Sequence, residues 1–200
     1  PIQLSAERLQ IKLADRLQGA DRDMLERCTR TIVNQVGAMN NMVNEFRDYA
    51  RLPPPVLTAV DLKPLIDDTL ALYESSRAPV KVVMDEPLPP VLADSNQLRQ
   101  VIHNLVTNAQ DALTDVAVPQ VTVRIQQDGR RVVIRVADNG PGFAPATLAR
   151  AFEPYVTTKS KGTGLGLAVV KKIAEIKGLE EEIVRVQVIN NAKNFFSLTL

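Results

Sequence analysis

The sequence predicts an α+β protein in two parts. An N-terminal antiparallel helical hairpin, able to form a four-helix bundle on dimerisation, is followed by an α/β sandwich. Three observations predict this. A heptad-spaced apolar seam runs from Leu25 to Ala50. Three consecutive prolines, Pro53 to Pro55, stop it. Beyond them, apolar periods of about 3.6 and of 2 residues alternate along the chain.

In the hairpin, Leu25, Thr29, Ile32, Val36, Met39, Val43, Phe46 and Ala50 recur in steps of 4 and 3, the seam of packed or coiled helices. An earlier helical segment carries Ile2, Leu9, Leu13 and Leu17 and is set off by Gly19 and Asp21. Two helices joined by a short turn enclose little apolar surface, so the seam is expected to meet a second copy. Packing against the chain's own second part is the alternative. "RLPPPVL" cannot continue a helix, because proline lacks the N–H and clashes with the preceding turn. The expected division is therefore a hairpin over 1–52, a proline linker over 53–58 and a second domain over 59–200.

In the second domain, Asp61 is placed to cap a helix reaching about Ser76, with Pro64 in its first turn. "VKVVM" (80–84) suits a strand. Asp94 or Ser95 caps the next helix, whose Leu98, Ile102, Leu105, Ala109 and Leu113 form one apolar stripe. Val121, Val123 and Ile125 alternate, as do Val132, Ile134 and Val136, and Asp128-Gly129 between them signals a hairpin. A helix over about 165–176 and two strands, Ile183–Ile189 and Phe195–Leu200, close the chain. Strand pairs mixed with helices indicate a sheet covered on one face.

Composition excludes several classes. A net charge of +1 offers no electrostatic footprint for nucleic acid. The single Cys28 excludes an internal disulfide. No apolar run approaches the ~18–20 residues that span a bilayer.

Three stretches carry chemistry together. In "IHNLVTNAQDAL" (102–113), Asn104 and Asn108 lie one turn apart on a flank of the apolar stripe. Neutral amide oxygens suit a Mg²⁺ ion already balanced by phosphates; a solvated helix flank explains the same pair taken singly. In "VADNGPGF" (136–143), a strand delivers Asp138 into a turn containing Gly140 and Gly142. Such a carboxylate accepts a hydrogen bond from an exocyclic amine such as adenine N6, while glycines admit a flat ring close to the backbone. An ordinary turn is the alternative. In "KGTGLGLAVVKKI" (161–173), Gly162, Gly164 and Gly166 lead into an apolar helix, whose free N–H groups favour phosphate. The spacing is neither G-x-G-x-x-G nor G-x-x-x-x-G-K-[ST]. Upstream, "FEPYVTTKSK" (152–161) is polar and reads as a mobile lid with Thr157, Thr158, Lys159 and Lys161.

In order, N-x-x-x-N-A, D-x-G-x-G, F-x-P and G-x-G-x-G resemble the N, G1, F and G2 boxes of sensor histidine kinases, over about 94–177. Their ATP-binding domain has the Bergerat-type (GHKL) fold shared with gyrase, MutL and Hsp90. "PIQLSAERL" and "FRDYARLP" are similar to the dimerisation domain of nitrogen-regulation sensor kinases of the NtrY type. The resemblance implies ATP and Mg²⁺ as ligands, with Asn108 and Asn104 holding the metal and Asp138 reading adenine beside Gly140 and Gly142. It implies Phe152 as the lid anchor, Thr158, Lys159 and Lys161 in the lid, and Gly162, Thr163, Gly164, Leu165 and Gly166 around the phosphates. It further implies a homodimer, a response-regulator receiver domain as partner, and a cytoplasmic location within a membrane-anchored parent protein.

His103 is the only histidine. It shares a polar helix face with Arg99, Thr107 and Gln110, nearly opposite the core stripe, and reads as a bystander. In the similar kinases the acceptor histidine lies in a run like H-E-I-K-N-P-L-T-P-I-Q. That resemblance puts it about eight residues before Pro1. The hydrolysing relatives carry a glutamate general base four residues before the second asparagine; here Asn104 stands in its place and cannot take a proton. The rival readings are an ATPase of the same fold, a nucleotide-binding dimerisation module and a serine kinase of the same fold, the last disfavoured by the long heptad hairpin. "IKGLEEEIVRVQVINNAKNFFSLTL" departs from the similar kinases in lacking their glycine-rich turns.

Overall fold

The computed structural model describes residues 1–129, 131–159, 162–175, 185–191 and 193–199, the last two segments by their backbone. Two compact units emerge, one formed by Pro1–Ala50 and the other mainly by Arg51–Thr158 with Gly162–Leu200.

The first unit consists of α1 (Ile2–Leu13) and α2 (Gly19–Ala50) packed against each other. The helices meet where small or hydroxyl side chains permit it: Ala6 and Thr29 are buried, and Thr29 Oγ1 donates to the Leu25 carbonyl at 2.8 Å. Gly19 opens α2 with φ +59°, a backbone state that glycine adopts without a Cβ penalty. The seam beyond Thr29 stays exposed: Met39, Val43 and Phe46 keep 65%, 63% and 49% of their surface.

The second unit begins with β1 (Thr58–Val60) and α3 (Leu62–Leu70), capped by the Asp61 carboxylate, which accepts from the Lys63 N–H at 3.0 Å. The helix expected to reach Ser76 ends at Leu70 and tightens into a 3₁₀ turn over Ala71–Tyr73. Its apolar periodicity lapses there, with Leu72 exposed. Then follow β2 (Val80–Met84), β3 (Val91–Ala93) and α4 (Ser95–Ala112). The hairpin strands are β4 (Val121–Asp128) and β5 (Arg131–Asp138). A single turn α5 (Pro145–Leu148), the helix α6 (Gly166–Glu175), β6 (Arg185–Asn191) and β7 (Lys193–Thr199) complete the chain. Ile183, Val184, Ile176 and Leu200, assigned to elements in the sequence reading, lie outside the described residues.

Among the described residues the strands form a five-stranded sheet, β2-β4-β5-β7-β6, and a two-stranded one, β1-β3. The small sheet was not foreseen, because three-residue strands carry no measurable alternation. β4 and β5 pair from Val121↔Asp138 to Asp128↔Arg131, and Gly129 turns the corner with φ +62°. Val121, Val123, Ile125, Ile134 and Val136 are fully buried on the face covered by α4. Asp138 shares that face through the two-residue period, so the strand aims it at the helix layer. Val133, on the other face, is buried as well, since β5 is flanked by β4 and β7.

α4 organises the unit. Leu98, Val101, Ile102, Leu105, Val106 and Ala109 are all at most 4% exposed. Asp94 caps it, with Oδ1 accepting from the N–H groups of Asn96 and Gln97 at 2.9 and 3.0 Å. Its other oxygen accepts from the Val56 N–H at 2.8 Å, and Gln97 Nε2 donates to the Pro53 carbonyl at 2.9 Å. The proline segment is thereby strapped to the start of α4. Burial pushes the Asp94 carboxyl up, but the three N–H donors of Gln97, Val56 and Asn96 outweigh it and hold the pKa below the usual range. No helix among the described residues is long and apolar enough to cross a membrane.

Candidate functional site

Asn104, Asn108, Asp138, Gly140 and Gly166 come together around the C-terminal half of α4. Asn104 and Asn108 are both half-buried on the flank that turns to α6. A Cβ placed on Gly166 would lie 3.8 Å from Asn108 Nδ2 and 3.9 Å from Asn104 Oδ1. These are ordinary contact distances, so Gly166 is not demanded by sterics. What they establish is that the two amides face the first turn of α6, where backbone N–H groups lack helical partners.

Asp138 approaches α4 from the sheet. It is buried, and its Oδ1 accepts the Gly140 N–H at 2.8 Å. Gly140 is tightly packed: a Cβ there would stand 2.8 Å from that same oxygen and 3.1 Å from the Ala112 carbonyl, so the Asp138 carboxylate would have to shift. The turn therefore lies directly against the end of α4, which brings the second motif beside the first. Gly142, half-buried, has φ +80°, which extends the turn in a conformation L side chains avoid.

The third and fourth motifs meet at a tight backbone crossing. The Tyr155 N–H donates to the Gly164 carbonyl at 3.0 Å. Gly164 has φ +71°, and a Cβ there would fall 2.6 Å from the Tyr155 carbonyl carbon. Tyr155 itself has φ +65°, a state that costs a bulky residue about 1–3 kcal/mol. Tyr155 and Gly164 are thus pinned to each other. Thr163 Oγ1 accepts from the Leu165 N–H at 3.3 Å, and Leu165 is fully buried beneath the start of α6. Phe152 and Gly162 are half-buried, Thr157 and Thr158 exposed, and Lys159 half-buried. Lys161 lies outside the described residues.

His103 is exposed on the outer side of α4, its Nδ1 2.7 Å from the Tyr73 hydroxyl, which also lies 3.0 Å from Thr107 Oγ1. Burial raises the Tyr73 pKa, against the hydrogen bond from Thr107, which lowers it, so the phenol stays protonated. His103 therefore belongs to a small polar cluster that ties the 3₁₀ turn to α4. The residues the sequence reading missed are Ala112 and Tyr155, whose contacts are made through the backbone and leave no side-chain signal.

Taken together, an amide pair, a strand-end carboxylate with a glycine turn, and a glycine-led helix surround one region at the end of α4. The family described as histidine kinase-, DNA gyrase B- and HSP90-like ATPase matches residues 93–200. The chain belongs to this family. It is 39% identical over 188 residues to nitrogen regulation protein NtrY of Azorhizobium caulinodans, covering 89% of this chain and 24% of that protein. It is 33% identical over 177 residues to a putative sensor histidine kinase of the NtrY-like kind from Rickettsia bellii, covering 88% of this chain and 29% of that one. The chain thus spans about a quarter of the length of these relatives. Among solved structures, full-length ShkA in complex with AMPPNP superposes with a TM-score of 0.72 at 27% identity, over 96% of this chain and 41% of that one. The expected α+β architecture, with its GHKL-type ATPase domain, is therefore that of the protein.

Proposed function

We propose that this chain is the nucleotide-handling core of a two-component sensor histidine kinase. It would transfer the γ-phosphoryl of ATP to a histidine on the dimerisation helix, and from there to an aspartate of a response regulator. The observation that carries this reading is the placement of two neutral amides, Asn104 and Asn108, opposite the glycine-led start of α6. Hydrolytic relatives need a general base at the first of those positions, and an amide cannot serve as one. The solved neighbour bound to AMPPNP and the NtrY-type relatives support it.

In this proposal Asp138 accepts from the adenine amine, and Gly140 and Gly142 admit the ring. The N–H groups at Gly162, Thr163, Gly164, Leu165 and Gly166 hold the phosphates. Phe152 anchors a lid bearing Thr158, Lys159 and Lys161. Asn104 and Asn108 hold Mg²⁺, and the fit rests on the donor set: neutral oxygens avoid excess negative charge beside phosphate. Bound Mg²⁺ supplies charge neutralisation on the phosphates. The protein's own contribution is to position the phosphoryl group and exclude water.

The same proposal divides the chain into a dimerisation hairpin over 1–52, a linker over 53–58 and an ATP-binding domain over 59–200. The exposed seam of α2 would be covered by a second copy. It assigns the chain to the cytoplasmic portion of a membrane-anchored sensor.

Phosphoryl transfer from γ-labelled ATP with Mg²⁺ tests the reading, run on this chain and on one extended upstream through the expected histidine. Label on the extended chain alone, lost in acid and stable to alkali, is the expected result. Label on this chain would point to His103 or a hydroxyl. Phosphate released to water with no label on either would make the protein an ATPase.

A further inference from the structure

Asn139 stands between Asp138 and Gly140 in the turn. That side chain turns away from Asp138 towards the connection between α4 and β4. Its Oδ1 accepts the Gln120 N–H at 2.8 Å, and its Nδ2 donates to the Val118 carbonyl at 2.8 Å. Its backbone N–H donates to the Gln120 carbonyl at 3.3 Å.

The two side-chain bonds bracket Pro119. The β4–β5 ladder ends at Val121↔Asp138. One backbone bond, from the Asn139 N–H to the Gln120 carbonyl, lies beyond it, and the Gln120 N–H goes to the Asn139 side chain. The Asn139 side chain thus takes both the Gln120 N–H and the Val118 carbonyl, the groups on either side of the proline. A primary amide offers one acceptor and one donor in a single plane and satisfies both. Alanine offers neither, and an ionised aspartate offers only the acceptor.

The consequence reaches the candidate site. The connection over 113–120 leads directly from the end of α4, and the Ala112 carbonyl is the group that abuts Gly140. The half next to α4 is held separately, by the Arg77 guanidinium donating to the carbonyls of Thr114 and Val116. Asn139 therefore fastens the strand end that carries Asp138 to the chain leaving the helix that carries Asn104 and Asn108. On the nucleotide reading, the separation between these two elements would set the space open to the base.

We propose that Asn139 is a positioning residue for the base pocket: by clamping both sides of Pro119 it sets the placement of the Asp138 carboxylate relative to α4, and so the preference for adenine. This rests on the nucleotide reading above. The test is calorimetric binding of ATP and, by competition, of GTP in Mg²⁺ to the wild-type chain, Asn139→Ala and Asn139→Asp, with thermal unfolding of each. GTP shares the phosphates and ribose but lacks the exocyclic amine that Asp138 would accept from. The expected result for Asn139→Ala is about tenfold weaker ATP binding, the equivalent of losing one or two hydrogen bonds, with GTP changed less than about threefold. Asn139→Asp keeps the acceptor and loses the donor, so it should fall between, and it decides the matter if the alanine variant does not fold. Equal losses for both nucleotides would make Asn139 a merely structural clamp, and undiminished ATP binding would remove any role; either overturns the proposal. A wild-type chain that binds neither nucleotide would overturn the nucleotide reading, and this proposal with it.

Discussion

α2 and α4 are both amphipathic helices, yet their apolar stripes meet opposite fates. In α4, Ile102 and Val106 are completely buried and Leu105 nearly so. In α2, Met39, Val43 and Phe46 remain about half or more exposed. The difference teaches that periodicity specifies a face and not its partner. The α4 stripe lies on β5 and beside α3 and α6, elements of its own unit. The α2 stripe is left uncovered at Met39, Val43 and Phe46, and that is the physical basis for proposing a second copy on it.

The comparison can be broken most forcefully in α4. Ile102→Ala is expected to cost about 2–5 kcal/mol, since the cavity adds to the lost transfer energy. Urea unfolding measures it, and a cost below about 1 kcal/mol would mean that the α4 stripe is no more committed than that of α2. Next comes Gly164→Ala, which must move the Tyr155 backbone and adopt a left-handed φ. ATP binding is expected to weaken by about tenfold or more while α4 stays folded, because the distortion falls on the turn ahead of α6. Titration calorimetry with Mg-ATP would reveal it.

Asp94→Ala removes a cap and releases Val56, with an expected cost of about 1 kcal/mol. The carboxylate carries a pH signature of definite sign. Its folded pKa is depressed, so its contribution is present above the unfolded value of about 3.9 and fades as pH falls through the lower folded value. Wild type and Asp94→Ala should therefore converge in stability in strong acid; a gap that persists there would show that the cap acts other than as a carboxylate. Smallest in its effect on the unit itself is Phe46→Ser, at about 0.5 kcal/mol or less, since the side chain is half exposed. Its expected signature is instead a shift towards monomer in sedimentation equilibrium. An unchanged dimer, or a wild-type monomer, would leave the α2 stripe with some other partner.

Much of this was legible in one dimension, for definable reasons. The α4 stripe, the Asp61 and Asp94 caps, the Gly129 hairpin and the glycine-led α6 all depend on local rules of period, capping and turn chemistry, which act over a few residues. The candidate site residues were legible because four short motifs occur in order. What escaped depends on contacts between distant segments. The Leu70 end of α3, the β1–β3 pair, the burial of Val133 in a central strand and the strap from Pro53 and Val56 to α4 have no local signature.

The same division holds at the site. By itself the sequence determined which groups are present: two amides, one strand-end carboxylate and glycines ahead of a helix. Only the tertiary structure decided that Gly140 lies against Ala112, that Gly166 faces both asparagines, that Gly164 crosses Tyr155, and that Asn139 closes the gap around Pro119. Residue type sets what a side chain can donate, accept or tolerate. Which partner it meets is set by packing of the whole sheet and helix layer, where close-packed interiors leave one arrangement that satisfies every buried group.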